Sequence, residues 1–314
     1  MSQVEAREGI LGVILAAGKG TRLAPFSERY PKPILPILGK PLLQYQVESL
    51  REIGIRRLII VIGHLGYEIV RALGDGSELG VSIEYVEQEH ALGIAHAVTR
   101  LEDRIDAPFL LCLGDIFFVH KNLGQMLDLL GPDDVDGILA VRDESSEEAI
   151  QRNFAVLEDE AGFVTRVIEK PHHPPTRLKG CGLYLFAPSF FDAVRRTPRT
   201  AMRDEYEITD AIQIFLDDGH RVKAARVIED DLNLSYPVDL LEINLRVLGN
   251  RELVGHQVKL PTGCKIERSV IMDGAIVERP IHIRESLILP GARIAGSKDV
   301  VRQIITPDVT IDCR

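Results

Sequence analysis

The chain has 314 residues, of which 45% are hydrophobic and 27% charged, and this composition is ordinary for a soluble globular protein. Its formal net charge of −10 argues against nucleic-acid binding, because a basic surface supplies most of the affinity for phosphate backbones. No apolar run approaches the roughly 18 residues that a membrane span requires. We therefore expect a cytoplasmic protein without a nucleic-acid or membrane partner.

The amino terminus and the cysteines carry no sign of a signal peptide or a metal site. Residues 1–9 are polar and contain no apolar signal core, so we predict a disordered tail there. The four cysteines lie far apart and none has the paired spacing of a metal site. Cys112 and Cys181 lie within apolar runs and are predicted to be buried side chains.

Short apolar runs alternate with helical segments from Ile10 to about Leu248. This alternation predicts an α/β fold, with a largely parallel sheet and helices on both faces. A helix is predicted over residues 41–53, with Pro41 at its first position and Gly54 at its end. Ligands of such sheets bind beyond the carboxyl ends of the strands. The predicted strands cover residues 11–16, 58–62, 81–86, 109–113, 137–141, 164–168, 182–186 and 222–227.

After Gly249 the helical pattern ends and a repeat of 17 residues begins. Short apolar positions with turn glycines are typical of a β-solenoid, and an irregular β tail is the alternative. We predict a catalytic domain over residues 10–249 and a short solenoid over residues 250–314. We also expect a homo-oligomer, because the end of a solenoid usually needs a cap or a neighbouring subunit. A weaker third copy follows at residues 305–311. The first copy, Ile266, Ser269, Ile271, Gly274 and Val277, recurs as Ile283, Ser286, Ile288, Gly291 and Ile294.

A glycine-rich turn follows the first predicted strand. Glycines at 18 and 20 let backbone N–H groups approach a phosphate closely. The turn is not the dinucleotide fingerprint, since Leu23 stands where the third glycine belongs, and no Walker A ending closes it, so a dehydrogenase is disfavoured. The full stretch reads Leu15-Ala16-Ala17-Gly18-Lys19-Gly20-Thr21-Arg22-Leu23.

Basic residues cluster around this turn although the protein as a whole is acidic. Arginine forks onto phosphate oxygens and lysine acts as a point charge, so the cluster favours a polyanionic ligand. Lys32 stands between Pro31 and Pro33, which restrict the backbone on both sides. The cluster comprises Lys19, Arg22, Arg29 and Lys32.

The glycine-rich turn, followed by Pro31-Lys32-Pro33 and Gly39-Lys40-Pro41-Leu42, resembles the opening signature of the sugar nucleotidylyltransferase family. The resemblance covers about residues 11–248 and implies a Rossmann-like mixed, mostly parallel sheet followed by a left-handed β-helix-like extension. Further motifs match in the family's order: Gly74-Asp-Gly-Ser, Gln88 with Leu92-Gly93, Leu113-Gly-Asp115, Glu169-Lys-Pro171, Gly182-Leu-Tyr184, the segment from Glu205 to Asp210, and Pro237-Val-Asp-Leu-Leu241.

The resemblance implies an enzyme that joins a nucleoside triphosphate to a sugar 1-phosphate, releases pyrophosphate and uses Mg²⁺. It favours dTTP or UTP with glucose 1-phosphate. The implied catalytic residues are Arg22, Lys32, Asp115 and Lys170. The implied nucleotide-binding residues are Leu15, Ala16, Ala17, Gly18, Gly20, Thr21, Gln88 and Gly93. The implied sugar-phosphate ligands are Glu169, Lys170 and Gly182, and the metal ligands are Asp115 and Asn233.

The residues themselves give partial physical support to the metal site. Asp115 follows an apolar strand and should lie at the ligand edge of the sheet, and Mg²⁺ accepts one or two carboxylates plus phosphate oxygens. Many family members have Asp at the second metal position, where this chain has Asn233. An amide oxygen can bind Mg²⁺, but one negative charge is missing, and Asp231 is the alternative ligand.

Two further expectations concern the substrates. The Gln88 amide can donate and accept at once, which suits a base edge, and Gly93 leaves room where the base ring would lie. Strand alternation should send the side chains of Glu169 and Lys170 to opposite faces, so they need not form an ordinary salt bridge.

Two other functions remain open. A catalytically weak protein of the same fold that binds sugar nucleotides and regulates a partner is motivated by Asn233. An acyltransferase in the solenoid is disfavoured, because three coils are short and the tail offers no persuasive catalytic histidine.

Overall fold

The computed structural model describes residues 9–90, 92–130, 134–201 and 204–314. Apart from Gly9, the tail predicted over residues 1–9 lies outside these ranges. The chain divides into two compact units: the sheet unit, Met1–Lys19 with Leu43–Asp231, and the repeat unit, Gly20–Leu42 with Leu232–Arg314. The predicted domains over residues 10–249 and 250–314 stay predictions.

The strands up to residue 233 are β1 (Leu11–Ala16), β2 (Pro36–Ile37), β3 (Lys40–Pro41), β4 (Arg57–Ile62), β5 (Ser82–Glu87), β6 (Phe109–Leu113), β7 (Ile116–His120), β8 (Gly137–Asp143), β9 (Phe154–Glu158), β10 (Val164–Glu169), β11 (Leu178–Phe186), β12 (Val222–Ala225) and β13 (Ile228–Asn233). The α-helices are α1 (Leu42–Glu52), α2 (Gly66–Leu73), α3 (Ile94–Thr99), α4 (Gly124–Leu129), α5 (Glu147–Gln151), α6 (Phe190–Arg196), α7 (Ile208–Asp217) and α8 (Pro237–Leu248).

The sheet unit is built on one mixed sheet with the strand order β10-β9-β11-β6-β1-β4-β5, to which β8 and β12 attach beside β11. Strands β1, β4, β5 and β6 are parallel, whereas β11 runs antiparallel to β6 and β8. The central strands are continuous apolar runs, as expected for strands covered on both faces. The predicted α/β fold with a mixed, mostly parallel sheet is confirmed.

Among the strands described up to residue 233, five were missed, and one helix start was predicted wrongly. Strands β1 and β6 have the predicted bounds, but β2, β3, β7, β9 and β13 were not predicted. The predicted helix over residues 41–53 begins at Leu42, because Pro41 belongs to β3 and pairs with Pro36. The N–H of Leu42 donates to the carbonyl of Leu35 and closes this hairpin, so Pro41 is not the first helical residue.

The tail of the repeat unit forms short parallel strands with a constant offset of 17 residues, as in the pairs Val270–Leu287 and Leu287–Ile304. They form separate sheets, in the orders β14-β16-β19-β22-β23, β15-β18-β21 and β17-β20. The strands are β14 (Leu253–Val254), β15 (Lys265–Glu267), β16 (Val270–Ile271), β17 (Ile276–Val277), β18 (His282–Arg284), β19 (Leu287–Ile288), β20 (Arg293–Ile294), β21 (Val300–Val301), β22 (Gln303–Ile305) and β23 (Thr310–Asp312).

Polar side chains link successive copies of the repeat. The N–H of Ser286 donates to Oγ of Ser269, and the N–H of Gln303 donates to Oγ of Ser286. The third copy departs from the first two after Ile305, because β23 turns back and pairs antiparallel with β22. In the described part of the chain, no helix is long and apolar enough to cross a bilayer.

Candidate active site

The carboxyl ends of the parallel strands form one edge of the sheet unit, where several of the predicted residues lie. The chain leaves β1 at Ala17 and β6 at Gly114, whose N–H donates to the carbonyl of Leu15 at 2.9 Å. A side chain at Gly63, after β4, would approach the carbonyl oxygen of Ala17 to 2.7 Å. The turns at this edge are therefore closely packed, and Gly63 and Gly114 are glycines whose role the sequence reasoning missed.

A cleft of about 620 Å³ opens at this edge. Its volume lies within the range of small-molecule sites, roughly 300–1,000 Å³. Ala17 and Gln88, both predicted to bind nucleotide, line it together with Lys19. The full lining is Ala17, Lys19, Ile62, Gly63, His64, Leu65, Gly66, Tyr67, Val70, Glu87, Gln88 and Glu89.

Gln88 is buried and its side chain is held by a histidine that the sequence reasoning missed. Its Nε2 lies 3.1 Å from Nδ1 of His96, whose ring stacks on Tyr206. Burial lowers the pKa of His96, and the nearby Arg100 and His90 lower it further. The imidazole is therefore neutral at pH 7, so its Nδ1 can accept a hydrogen bond from the Gln88 amide. The three-residue spacing between Gly93 and His96, over one turn of α3, was the available signal.

The structure explains the glycine at position 93 by a contact other than the expected one with a base ring. Its φ of 109° favours glycine, and a Cβ there would lie 2.4 Å from the carbonyl oxygen of Tyr206. Tyr206 is also bound on both sides, with its N–H donating to Leu92 and its carbonyl accepting from Ala95. The close approach of the Tyr206 backbone accounts for this glycine, and its role beside a base stays a prediction.

Gly182 lies beside Leu113 and Ile116, the residues on either side of Gly114 and Asp115. Asp115 belongs to the two-residue turn, Gly114 and Asp115, that joins β6 to β7; we call it the Asp115 turn. Strand β11 is irregular between Gly180 and Tyr184, where Gly182 adopts a φ of 69°. A side chain at Gly182 would approach Cδ1 of Ile116 to 2.6 Å.

Glu169 ends β10 and Lys170 follows it, and β9 separates β10 from β11 in the sheet. Glu169 pairs with Phe154 in β9, and the ring of Phe154 covers Gly180, where a Cβ would lie 1.8 Å from Cζ. Gly182 lies in β11, which pairs with both β6 and β9, and Glu169 ends β10, which pairs with β9.

The expectation that Glu169 and Lys170 point apart is wrong. Strand β10 ends at Glu169, and Lys170 has a φ of 41°, which interrupts strand alternation. Its Nζ lies 3.6 Å from Oε1 of Glu169, within ion-pair distance. The hydroxyl of Thr209 donates to Oε2 of the same carboxylate at 3.1 Å. The Glu169 carboxylate therefore contacts both the Lys170 ammonium group and the Thr209 hydroxyl.

Of the remaining predicted residues, Leu15 and Ala16 end β1 and Gly18 follows it in the sheet unit, whereas Gly20, Thr21, Arg22, Lys32 and Asn233 lie in the repeat unit. Gly20 has a φ of 64°, and the aliphatic part of the buried Lys32 side chain packs against it, with Cγ 2.8 Å from a Cβ built at Gly20. Thr21 begins a short 3₁₀ segment that contains Arg22, and the exposed guanidinium of Arg22 lies 5.4 Å from the ring centre of Tyr236. Asn233 is the last residue of β13.

Asp231, the alternative metal ligand, belongs to a buried ionic cluster of the sheet unit. Nζ of Lys179 donates to both of its carboxylate oxygens. Nε of Arg142 lies 3.0 Å from Oδ1, and Arg142 also pairs with Asp230 and Glu144. Burial raises the pKa of Asp231, and the charges of Lys179 and Arg142 oppose that rise.

Oxygen donors of the predicted metal site suit Mg²⁺. Among the described residues, no group of three or more His, Cys, Asp or Glu side chains could hold a metal ion by itself. Mg²⁺ bound by one or two protein oxygens and by substrate phosphates needs no such group, and the Asp115 carboxylate and the Asn233 amide oxygen are donors of that kind. Burial raises the pKa of the Cys112 and Cys181 thiols, so neither of these two side chains is a competing ligand.

The sheet unit has the α/β architecture in which ligands bind beyond the carboxyl ends of the parallel strands. The nucleotidyl transferase family model matches residues 11–231. This match covers well over half of the chain, so the protein belongs to the nucleotidyl transferase family and is a nucleotidyltransferase. The family resemblance of the sequence motifs is confirmed.

Relatives with known names support the same assignment. A UTP–glucose-1-phosphate uridylyltransferase of Haloferax volcanii is 37% identical over 75% of this chain and 95% of its own length. A glucose-1-phosphate thymidylyltransferase of Streptomyces griseus is 32% identical over 96% of this chain and 82% of its own. A solved UDP-glucose pyrophosphorylase bound to UDP-glucose superimposes with a TM-score of 0.66 at 26% identity, covering 76% of this chain and 98% of that one.

Proposed function

We propose that this nucleotidyltransferase joins a nucleoside triphosphate to a sugar 1-phosphate and releases pyrophosphate. The observation that carries the proposal is the set of strand ends in the sheet unit, where the cleft with Gln88 follows β5, the Asp115 turn follows β6 and the Glu169–Lys170 pair stands at the end of β10. A cleft for a nucleotide, a carboxylate for a metal and a lysine for a second phosphate are the groups that such a reaction requires.

The proposed substrates are UTP or dTTP with glucose 1-phosphate. The uridylyltransferase and the thymidylyltransferase relatives are of similar identity to this chain, so the comparison supports both bases. Uracil and thymine present the same neighbouring N–H donor and carbonyl acceptor. The Gln88 amide, which carries both a donor and an acceptor, suits this edge. We propose that Gly93 contacts the base through its backbone.

The proposed reaction is an in-line attack by a phosphate oxygen of the sugar 1-phosphate on the α-phosphorus of the triphosphate. A new P–O bond forms as the bond to the β-phosphate oxygen breaks, and the electron pair leaves with pyrophosphate. No general base is needed, because the second pKa of a phosphate monoester is about 6 and the nucleophile is already dianionic at neutral pH. Positioning, which can supply roughly 7–11 kcal/mol, is then the main catalytic task.

Cationic and backbone groups would perform that task. We propose that Arg22 and Lys32 bind the triphosphate and stabilise the charge that grows on pyrophosphate. Lys170 would bind the acceptor phosphate, Glu169 the sugar hydroxyls and Gly182 the sugar through its backbone. The backbone of Leu15, Ala16, Ala17, Gly18, Gly20 and Thr21 would bind the nucleotide.

Magnesium is the proposed cofactor, with Asp115 and Asn233 as its protein ligands. When bound, Mg²⁺ would neutralise charge on the α-phosphate. Asp115 would orient its carboxylate from the end of β6, and Asn233 would contribute a neutral oxygen. We place Asp231 outside the metal site, since both of its oxygens accept hydrogen bonds from Lys179.

The tail is proposed to be a short β-solenoid that supports a homo-oligomer, in a cytoplasmic protein. The constant offset of 17 residues in its parallel pairs supports the solenoid. The reversal of β23 onto β22 would cap one end of the stack. The other end, at β14, is then the edge available to a second copy.

A matrix of nucleoside triphosphates against sugar 1-phosphates, read by pyrophosphate release with Mg²⁺ and with EDTA, tests the proposal. We expect release only when both substrates and Mg²⁺ are present. The second candidate, a regulatory protein that binds sugar nucleotides, is motivated by Asn233, which gives the proposed metal site one negative charge fewer than the Asp that the family resemblance implies there. Such a protein would release no pyrophosphate in this matrix, although it would bind nucleotide sugars.

A further inference from the structure

The side chain of Gln46 in α1 reaches the Asp115 turn. It is only 5% exposed, and its Nε2 lies 2.8 Å from the carbonyl oxygens of both Leu113 and Ile116. These two carbonyls stand immediately before and after Gly114 and Asp115 in the chain. Since one nitrogen supplies both hydrogens, the amide fixes the two carbonyls relative to each other.

The same amide carries an unfavourable feature. Oε1 of Gln46 is buried and has no hydrogen-bond partner among the described residues. A buried acceptor without a partner costs free energy that an apolar side chain of similar size would avoid. For packing the helix alone, an apolar side chain would therefore be more favourable than the Gln46 amide. We attribute the amide at this position to the two hydrogen bonds that it donates.

Other contacts already attach α1 to β7. The rings of Tyr45 and Phe117 meet edge to face with centroids 5.1 Å apart. Farther along, Oγ of Ser49 lies 3.1 Å from Nε2 of His120. The helix therefore has apolar and polar contacts with β7 beyond Gln46, and the Gln46 amide is distinguished by contacting the ends of the Asp115 turn.

The Asp115 turn is constrained from two further directions. The N–H of Gly114 donates to the carbonyl of Leu15 at the end of β1. On the other side, the Gly182 backbone packs against the side chains of Leu113 and Ile116, whose Cδ1 atoms would lie 2.9 and 2.6 Å from a Cβ built at Gly182. With Gln46 as the third contact, the backbone that carries the Asp115 carboxylate is held by β1, β11 and α1.

We propose that Gln46 is a positioning residue that sets the Asp115 carboxylate for divalent-metal binding. The inference rests on the proposed function, in which Asp115 is a metal ligand. Groups that orient a metal ligand affect affinity because a small displacement of the carboxylate weakens coordination. Gln46 would not touch the metal or the substrates, so its loss should change metal affinity before it changes the affinity for sugar phosphate.

The test uses the full chain and Mn²⁺ as a probe, with free Mn²⁺ followed by electron paramagnetic resonance. Gln46→Met removes both donors at similar volume, and Gln46→Glu keeps the shape while replacing the amide nitrogen by oxygen. We expect either variant to bind Mn²⁺ about tenfold more weakly. The Mg²⁺ concentration for half-maximal rate should rise similarly, while the KM for sugar phosphate changes less than twofold.

Ser49→Ala is the matched control, because it removes a polar contact between the same helix and the same strand, away from Asp115. Circular dichroism selects the Gln46 variant that folds. Wild-type Mn²⁺ affinity in the folded Gln46 variant, with weak binding in Asp115→Asn, would overturn the positioning role alone. Wild-type affinity in Asp115→Asn as well would instead overturn the metal assignment of the proposed function. An equal loss of Mn²⁺ affinity in Ser49→Ala would show that the loss comes from general packing of the helix, and it would also overturn the proposal.

Discussion

Both carboxylate oxygens of Asp231 accept hydrogen bonds from the ammonium group of Lys179, at 2.7 and 2.8 Å. The two side chains are 0% and 3% exposed, so the pair is shielded from water. Arg142 contacts the same carboxylate and balances its neighbours Asp230 and Glu144. Because this carboxylate is committed to an ion pair, its main contribution is to the fold of the sheet unit.

The first prediction concerns the stability that depends on this pair. Lys179→Met leaves the Asp231 carboxylate buried with one cation fewer, so we expect the free energy of unfolding to fall by about 3–5 kcal/mol. Urea unfolding at pH 7 measures it. Arg104→Met is the control, since it breaks an exposed pair with Glu84 and should cost less than about 1 kcal/mol. Equal losses in the two variants would contradict the prediction.

The second prediction concerns the pH dependence of base binding. The pKa of His96 is lowered from 6.5 by burial, with Arg100 and His90 adding to the shift. Below pH 6.5 the His96 imidazole binds fewer protons in the folded state than in the unfolded state. The contribution of His96 to the free energy of unfolding is therefore present above pH 6.5 and is lost as the pH falls. Protonation at still lower pH turns Nδ1 into a donor that faces the Gln88 amide.

We therefore expect UTP affinity to fall at low pH more in the wild type than in His96→Asn, whose side-chain oxygen can accept the same hydrogen bond without titrating. Isothermal titration calorimetry at pH 7.5, 6.5 and 5.5 measures this difference. Comparing two proteins with one ligand cancels the ionisation of UTP itself. Parallel curves for the two proteins would show that His96 does not control Gln88.

The third prediction separates leaving-group stabilisation from general charge. If Arg22 stabilises pyrophosphate as it forms, Arg22→Ala should lower kcat by about 10²–10³, as for loss of one preorganised donor. Arg195→Ala removes an exposed arginine outside the basic cluster that pairs with Glu102, and its kcat should stay close to that of the wild type. Steady-state kinetics at saturating substrates measure both. An unchanged kcat in Arg22→Ala would refute this role.

The fourth prediction concerns the acceptor phosphate. Lys170→Ala removes a charge-assisted contact worth roughly 1.5–3 kcal/mol, so the KM for sugar 1-phosphate should rise at least tenfold while the KM for UTP stays nearly constant. Lys121→Ala is a suitable control, because Lys121 is exposed and pairs with Glu229. A rise in the KM for UTP instead would assign Lys170 to the other substrate.

Much of the fold follows from local patterns in the sequence. The apolar runs at 11–16 and 109–113 are strands with the predicted bounds, because continuous apolar residues suit strands covered on both faces. The repeat that aligns Ser269 with Ser286 is also their register in space, where one serine accepts from the next. The period of the repeat in the sequence therefore predicted the register in which the strands of the tail pair.

Features that depend on tertiary contacts were not predictable. Pro41 suits either a helix start or a strand, and the Leu42–Leu35 hydrogen bond decides between them. Alternation failed at Lys170 because a positive φ cannot be read from a lysine. His96 and Gln46 matter through partners that are distant in sequence or in another element, so neither stood out beside Gln88 and Asp115.

Product formation tests the central claim most directly. The chain would be incubated with Mg²⁺, UTP or dTTP, and glucose 1-phosphate, and pyrophosphate and nucleotide sugar would be quantified by mass spectrometry in the same samples. The account predicts equal molar amounts of both products, dependent on each substrate and abolished by EDTA. Nucleotide-sugar binding with neither product formed, for every triphosphate and sugar phosphate tried, would contradict it.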